Sequence, residues 1–238
     1  MDEFKNILFL DIETVACTER YEMLEERMKV QWARKANFFR QRNDALSDED
    51  LFHERAGIYS EFGKIVTIAI GKFTENETNE RGLKTKRFVN HDEAILLQEF
   101  KSALEKMDQP QLKLCAHNGK EFDFPYISRR MLINGISLPP CLDMSGKKSW
   151  EIPHLDTLEL WKFGDYKHYT SLDLLAAIFN IPSSKSDIDG SKVNEVYYRD
   201  KDLKKISEYC ANDVIVVAQL FLKMKAQSLI SVENIINS

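Results

Sequence analysis

Glycine and proline are scarce in this sequence, nine and six among 238 residues, about half of ordinary usage. A collagen-like, linker-rich or largely disordered chain is thereby excluded. Cysteine is sparse as well. Cys17, Cys115, Cys141 and Cys210 lie far apart and form no Cys-x-x-Cys pair, which argues against a structural zinc site and against a disulfide framework. Long apolar runs are missing: the longest, 65–70 and 215–222, fall far short of the ~20 residues that span a bilayer. The first residues are acidic and lack the basic start and apolar run of a signal peptide. Nor is there an excess of positive charge, since 33 Lys and Arg stand against 38 Asp and Glu, a formal −5. A polyanion would have to be met by a local patch or through bound metal. These absences lead us to expect a cytoplasmic, reduced globular protein with no membrane partner.

What is present is 43% hydrophobic and 30% charged, an ordinary globular balance. Residues 6–15 are an apolar run ending in alternating acids, which reads as a buried strand with a polar C-terminal end. Residues 21–42 carry Met, Leu, Trp and Phe at helical spacings among long polar side chains. Residues 64–73 and 83–89 read as paired strands and 91–107 as an amphipathic helix. Residues 112–116 form another strand, and Pro125 opens a helix that Gly135 stops. A strand end at 154–156, a helix over 171–180 begun by Thr170 and Asp173, and a long helix from about 200 to 227 complete the order. We expect one α/β domain over residues 1–238, without repeats or linkers.

Three segments carry acids. Asp11 and Glu13 lie two apart on a strand, so both carboxylates leave one face; a strand end with Glu13 or Thr14 as a cap would account for them equally well. Asp123 stands just before the proline-initiated helix, where an N-cap is the plain reading. Tyr209 and Asp213 are four apart on the last helix and share a face, as residues of a solvated face also do.

Taken in order, a strand Asp11-x-Glu13, a strand-to-helix segment Asn118-x-x-x-Phe122-Asp123 and a helical Tyr209-x-x-x-Asp213 resemble the DEDD 3′–5′ exonucleases of the tyrosine subclass. The likeness is to the proofreading exonuclease domain of family B DNA polymerases and its stand-alone bacterial relatives, over roughly residues 5–222. It implies a ribonuclease H-like fold, a mixed five-stranded sheet flanked by helices, with a helical insertion after the first strand at about 20–62. It implies Asp11, Glu13, Asp123, Asp213 and Tyr209 as catalytic residues, the four acids holding two divalent ions, Mg²⁺ or Mn²⁺. Asp11 would bridge the ions, Glu13 and Asp213 would complete the inner site, and Asp123 would hold the outer ion mostly through water. Substrate contacts would come from Ile12 and Thr14 through the backbone, and from Asn118 and Phe122. The implied reaction releases nucleoside 5′-monophosphates from the 3′ end of single-stranded DNA, DNA being favoured over RNA by the polymerase-like tyrosine motif. No polymerase domain is expected in this chain.

The chemistry agrees with that implication. Two ions about 3.5–4 Å apart generate a nucleophile and stabilise the leaving oxygen of a phosphodiester, and hard cations select carboxylates over Cys or His. Tyr209, with an ordinary pKa near ~10, would orient water rather than act as a base. Three alternatives stay open: an exoribonuclease on the same site, a catalytically silent nucleic-acid-binding module, and a phosphatase of the aspartyl-phosphate type with Asp11 as nucleophile. His154, Asp156 and Asp173 read as turn or cap residues, and Lys185 as either a strand contact or part of a solvated loop. Residues 27–42 hold Arg27, Lys29, Arg34, Lys35, Arg40 and Arg42 with no acid, interleaved with Trp32, Phe38 and Phe39. That mix suits a single strand or, more plainly, an amphipathic helix with a solvated basic face.

Overall fold

A computed structural model describes residues 4–40, 46–76, 79–107, 110–165, 169–182 and 188–237. The apolar run becomes β1 (Ile7–Ala16), and its alternation assigns its two faces. Leu8, Leu10 and Ile12 enter one core, whereas Phe9 enters another and Val15 a third on the opposite side. Asp11 and Glu13 share the Phe9 side because the side-chain period of a strand is two.

After β1 come α1 (Glu26–Arg40) and α2 (Asp48–Arg55), the expected insertion. Ser47 and Asp50 form a reciprocal capping box that starts α2. Trp32, Ala36, Leu51, Phe52 and Phe62 give this pair its own small core against Ala16. Then follow β2 (Gly63–Glu75), β3 (Arg81–Val89), α3 (Glu93–Leu104) and β4 (Lys113–Ala116). The chain continues through α4 (Asp123–Ile133), β5 (Leu155–Asp156), α5 (Thr157–Lys162) and α6 (Leu172–Ile178). A short α7 (Val193–Glu195) runs into a π-helical turn at Val196–Asp200, ahead of α8 (Leu203–Met224) and β6 (Ile235–Asn237).

The strand order is β5-β4-β1-β2-β3-β6. β1 is antiparallel to β2 and β2 to β3, while β1, β4 and β5 run parallel. This is the ribonuclease H-like mixed sheet expected above, with one correction. Six strands form the sheet, not five, because Ile235–Asn237 adds a parallel edge strand to β3. Three residues at the end of a polar stretch carry too little periodicity to announce a strand.

α8 covers one face of the sheet. Cys210, Val214, Val217 and Phe221 pack on Phe9, Ala69 and Phe73, with Phe9 and Phe221 edge-on. α3 and α4 cover the other face through Leu96, Phe100, Phe124 and Ile127. No described helix is long and apolar enough to cross a membrane.

Candidate active site

β1 pairs with β4 only over Ile7, Leu8 and Phe9. Beyond Phe9 the two strands diverge, and the edge of β1 that faced β4 is open. The N-terminus of α4 borders this edge at one point. Asp123 Oδ1 accepts the Ile12 N–H at 3.2 Å, so this carboxylate is joined to the strand carrying the other two acids. Asp123 is therefore the first residue of α4 rather than its N-cap, a position that Phe122 takes.

Across the sheet face, α8 brings Asp213 onto β1. One carboxylate oxygen from each of Asp11, Glu13 and Asp213 lies within 4.8 Å of the others. The helix is seated there by Cys210, whose Sγ–H donates to the Asp11 carbonyl at 3.3 Å. One turn before Asp213, Tyr209 shares its helix face, and the Asp213 charge is the first of those acting on the Tyr209 hydroxyl.

The electrostatics of this cluster are one-sided. Burial first, then Asp213 and the other acids, raise Asp11 and Glu13 well above the usual carboxylate range. Among the described residues, the charges acting on either group are carboxylates. Burial first, then Asp156 and Asp213, push Asp123 up to about 7, against hydrogen bonds that include the Ile12 amide. Burial, followed by Asp213, Glu13 and Asp11, also raises Tyr209, which stays protonated. Asp11 Oδ2 is buried without a hydrogen-bond partner among the described residues. Converging carboxylates with an orphaned oxygen, and with no cationic side chain acting on Asp11 or Glu13 among the described residues, form a set that a hard divalent cation satisfies.

The remaining candidates divide. Asn118 takes a left-handed conformation, φ 65°, which Asn tolerates better than most residues. Its carbonyl accepts Glu121 N–H and Phe122 N–H, so it turns the chain from β4 into α4. Gly119 beside it is obligatory, since a Cβ there would lie 2.4 Å from that of Ala116. Phe122 is half-buried, with its ring 5.3 Å from Tyr126. The Ile12 N–H is taken by Asp123, which leaves its carbonyl on the same open edge. Thr14 Oγ1 donates to the Gly57 carbonyl at 2.7 Å and so ties the insertion to β1.

Asp156 is a cap, as expected, but it does more than begin α5. Its carboxylate accepts from Leu158 N and also from Asn118 N and Lys120 N, at 2.9, 2.9 and 3.1 Å, and thus clamps the loop leading to Asp123. His154 accepts Leu114 N–H on Nδ1 and donates from Nε2 to Cys141 O, a structural bridge. Ser171, not Thr170, caps α6, and Asp173 lies in that helix's first turn. Lys185 and Arg42 lie outside the described residues.

The basic helix α1 packs on α2 and borders the end of α4. Trp32 is fully buried against Phe52 and Phe62, and the exposed Phe38 lines a groove with Ile133 at the far end of α4. The span from Asp123 to Ile133 is about 15 Å of helix. It is the other half of the insertion, the turn around Gly57, that borders β1 at Thr14.

Comparison with known proteins agrees with this geometry. The chain is similar in structure to the family B DNA polymerase of the hyperthermophilic archaeon Pyrobaculum calidifontis, with a TM-score of 0.52 and 15% identity. The match covers 91% of this chain and 24% of the polymerase, so the chain spans about a quarter of that protein's length. No curated protein sequence matches the chain. Residues 58–233 match a family described as a predicted 3′–5′ exonuclease related to the exonuclease domain of PolB. That stretch includes Asp123, Tyr209 and Asp213, and β1 with Asp11 and Glu13 precedes it. The chain belongs to this family of PolB-related 3′–5′ exonucleases.

Proposed function

We propose that residues 1–238 form one exonuclease domain of the tyrosine subclass, with a helical insertion at about 20–62. It removes nucleoside 5′-monophosphates from the 3′ end of single-stranded DNA with two divalent ions, Mg²⁺ or Mn²⁺. The observation that carries the reading is the convergence of Asp11, Glu13 and Asp213 within 4.8 Å, with Asp11 Oδ2 buried and unpartnered among the described residues.

In this reading Asp11, Glu13 and Asp213 would hold one ion, and Asp11 and Asp123 would hold the other. Bound there, the ions supply a nucleophile at neutral pH and offset charge building on the phosphate. Tyr209 fixes the direction of the attacking water while remaining protonated. The open edge of β1 receives the 3′-terminal nucleotide. A cleft of about 420 Å³ lined by Thr14, Arg55, Gly57, Ser191 and Asn194 meets β1 at Thr14. The Ile12 carbonyl and Thr14 backbone meet the terminal 3′-hydroxyl, and Asn118 and Phe122 meet the last bases.

The preference for DNA rests on the likeness of the tyrosine motif to that of polymerases. Digestion of 5′-labelled single-stranded DNA and RNA of one sequence, with Mg²⁺ or Mn²⁺, tests the reading. The expected product is a ladder shrinking from the 3′ end, faster on DNA, and blocked by a 3′-phosphate. A ladder on RNA alone would reassign the substrate, and a 3′-phosphate without effect would remove the terminal hydroxyl contact.

A further inference from the structure

Tyr209 is not the only tyrosine at the acid cluster. The chain between α5 and α6 returns to the site at Tyr169, whose side chain is 63% exposed. Its ring stands edge-on to His117, with centroids 6.1 Å apart and planes at 71°. His117 is a fixed post. Its Nε2 lies 2.8 Å from the Thr170 carbonyl and must carry the proton there, so Nδ1 accepts from the Thr157 hydroxyl at 2.9 Å. Burial keeps this imidazole neutral by lowering its pKa. Tyr169 is thus held against the residue that opens the Asn118–Asp123 loop.

Its surroundings complement those of Tyr209. Besides burial, Asp123, Asp156, Asp213 and Asp11 act on the Tyr169 hydroxyl, in that order. Tyr209 is acted on by Asp213, Glu13 and Asp11. The two phenols share Asp213 and Asp11, and they reach the site on different elements: Tyr209 from α8, one turn before Asp213, and Tyr169 from the chain held against His117, where the loop to Asp123 begins. Each acid facing Tyr169 is an acceptor, and a phenol adds a donor there without adding charge.

We propose that Tyr169 is a second substrate-contacting tyrosine, donating a hydrogen bond from the Asp123 side to a non-bridging oxygen of the scissile phosphate. The proposal rests on the exonuclease-site reading above. Tyr169 makes and breaks no bond; it holds the phosphate in register with the water that Tyr209 orients. An exposed ring at the mouth of the site is what a docking strand would cover.

The test uses the full chain with Mn²⁺ and a 5′-labelled single strand ending in an ordinary linkage or in an Rp or Sp phosphorothioate. Tyr169→Phe should lower kcat about tenfold or more on the ordinary linkage, the scale of one hydrogen bond to a charged oxygen. KM, melting temperature and Mn²⁺ affinity should stay at wild-type values. Sulfur is a poor acceptor, so with one diastereomer the gap between wild type and Tyr169→Phe should close, and with the other it should persist. A Tyr169→Phe enzyme at wild-type rate, with loss only in Tyr169→Ala, would overturn the proposal in favour of ring packing. An equal gap on all three substrates would overturn the phosphate contact. A wild-type chain that shortens none of these strands would overturn the exonuclease-site reading itself, a result distinct from either.

Discussion

Asp11, Glu13 and Asp123 are ionised at a cost that the metal-free protein should reveal through pH. In the unfolded chain such carboxyls titrate near their ordinary ~4. In the folded chain Asp123 titrates at about 7, and Asp11 and Glu13 are raised well above the usual range. The folded state therefore holds protons that the unfolded state has released. Stability contributed by these groups is full below pH ~4 and declines as pH rises through about 7. Asp50, Asp143 and Asp200 are shifted down and stay ionised across the upper part of this window. Melting without metal should thus occur at lower temperature at pH 8 than at pH 5.5, and the increment from Mn²⁺ should be larger at pH 8. A metal-free protein that is more stable at pH 8 would contradict the cluster's electrostatics.

Under the proposed roles, in which the phenol orients water and the carboxylate holds an ion, Tyr209→Phe should slow hydrolysis yet retain more activity than Asp213→Ala. Single-turnover rates with saturating Mn²⁺ distinguish the two, and equal, total loss would give the hydroxyl a larger role. The shared faces of Asp11 with Glu13 and of Tyr209 with Asp213 were legible in the sequence because each pair lies within one strand or one helical turn, where spacing alone sets the face. Asp156 as a loop clamp, and Tyr169 at the mouth, were not. Their placement depends on β5 landing beside β4 and on the return of the α5–α6 connection to His117, juxtapositions across tens of residues that no local spacing encodes.

Elements around the site are joined by a buried ion pair. Arg130 on α4 forms a bidentate pair with Glu93 on α3 and donates to the Ser60 carbonyl at 2.8 Å. Glu93 also accepts Ile65 N–H on β2 at 2.7 Å. The pair thereby links α3, α4, β2 and the end of the insertion. Arg130→Met leaves the Glu93 charge buried and should cost about 3–5 kcal/mol, measured by denaturant unfolding, with part of the loss recovered in Glu93→Gln/Arg130→Met. A loss below about 1 kcal/mol would mean that water reaches the pair.

Helix α1 makes a separate case. Lys29 pairs with Glu26, Arg40 with Asp48, and Lys35 sits 3.8 Å over the Tyr59 ring, so much of the basic run is internally matched. Arg34 and Phe38 line the groove shared with Ile133. If a longer strand reaches this groove, Arg34→Glu/Lys35→Glu should weaken binding and flatten its salt slope by about one counterion per lost phosphate contact, with saturated turnover unchanged. An unaltered slope would leave α1 a structural helix. The long amphipathic elements, α3 and α8 among them, were legible from their period. α2 was hidden in a polar stretch whose capping box outweighs its weak periodicity, and β6 was too short to show one.

At the scale of the whole molecule, a chain of formal charge −5 that acts on a polyanion has no long-range field to draw its substrate in. Attraction has to come from the site, and the site's own side chains are acids. Bound cations reconcile the two, and this makes the acid constellation the central claim. The most direct measurement compares wild type, Asp11→Ala and Asp213→Ala on a 5′-labelled single strand with Mg²⁺, each variant first shown to be folded by its melting transition. The account predicts a 3′-shortening ladder from wild type, none from either variant, and variants at least as stable as wild type in the absence of metal. A folded Asp11→Ala or Asp213→Ala that shortens the strand at near wild-type rate would contradict it.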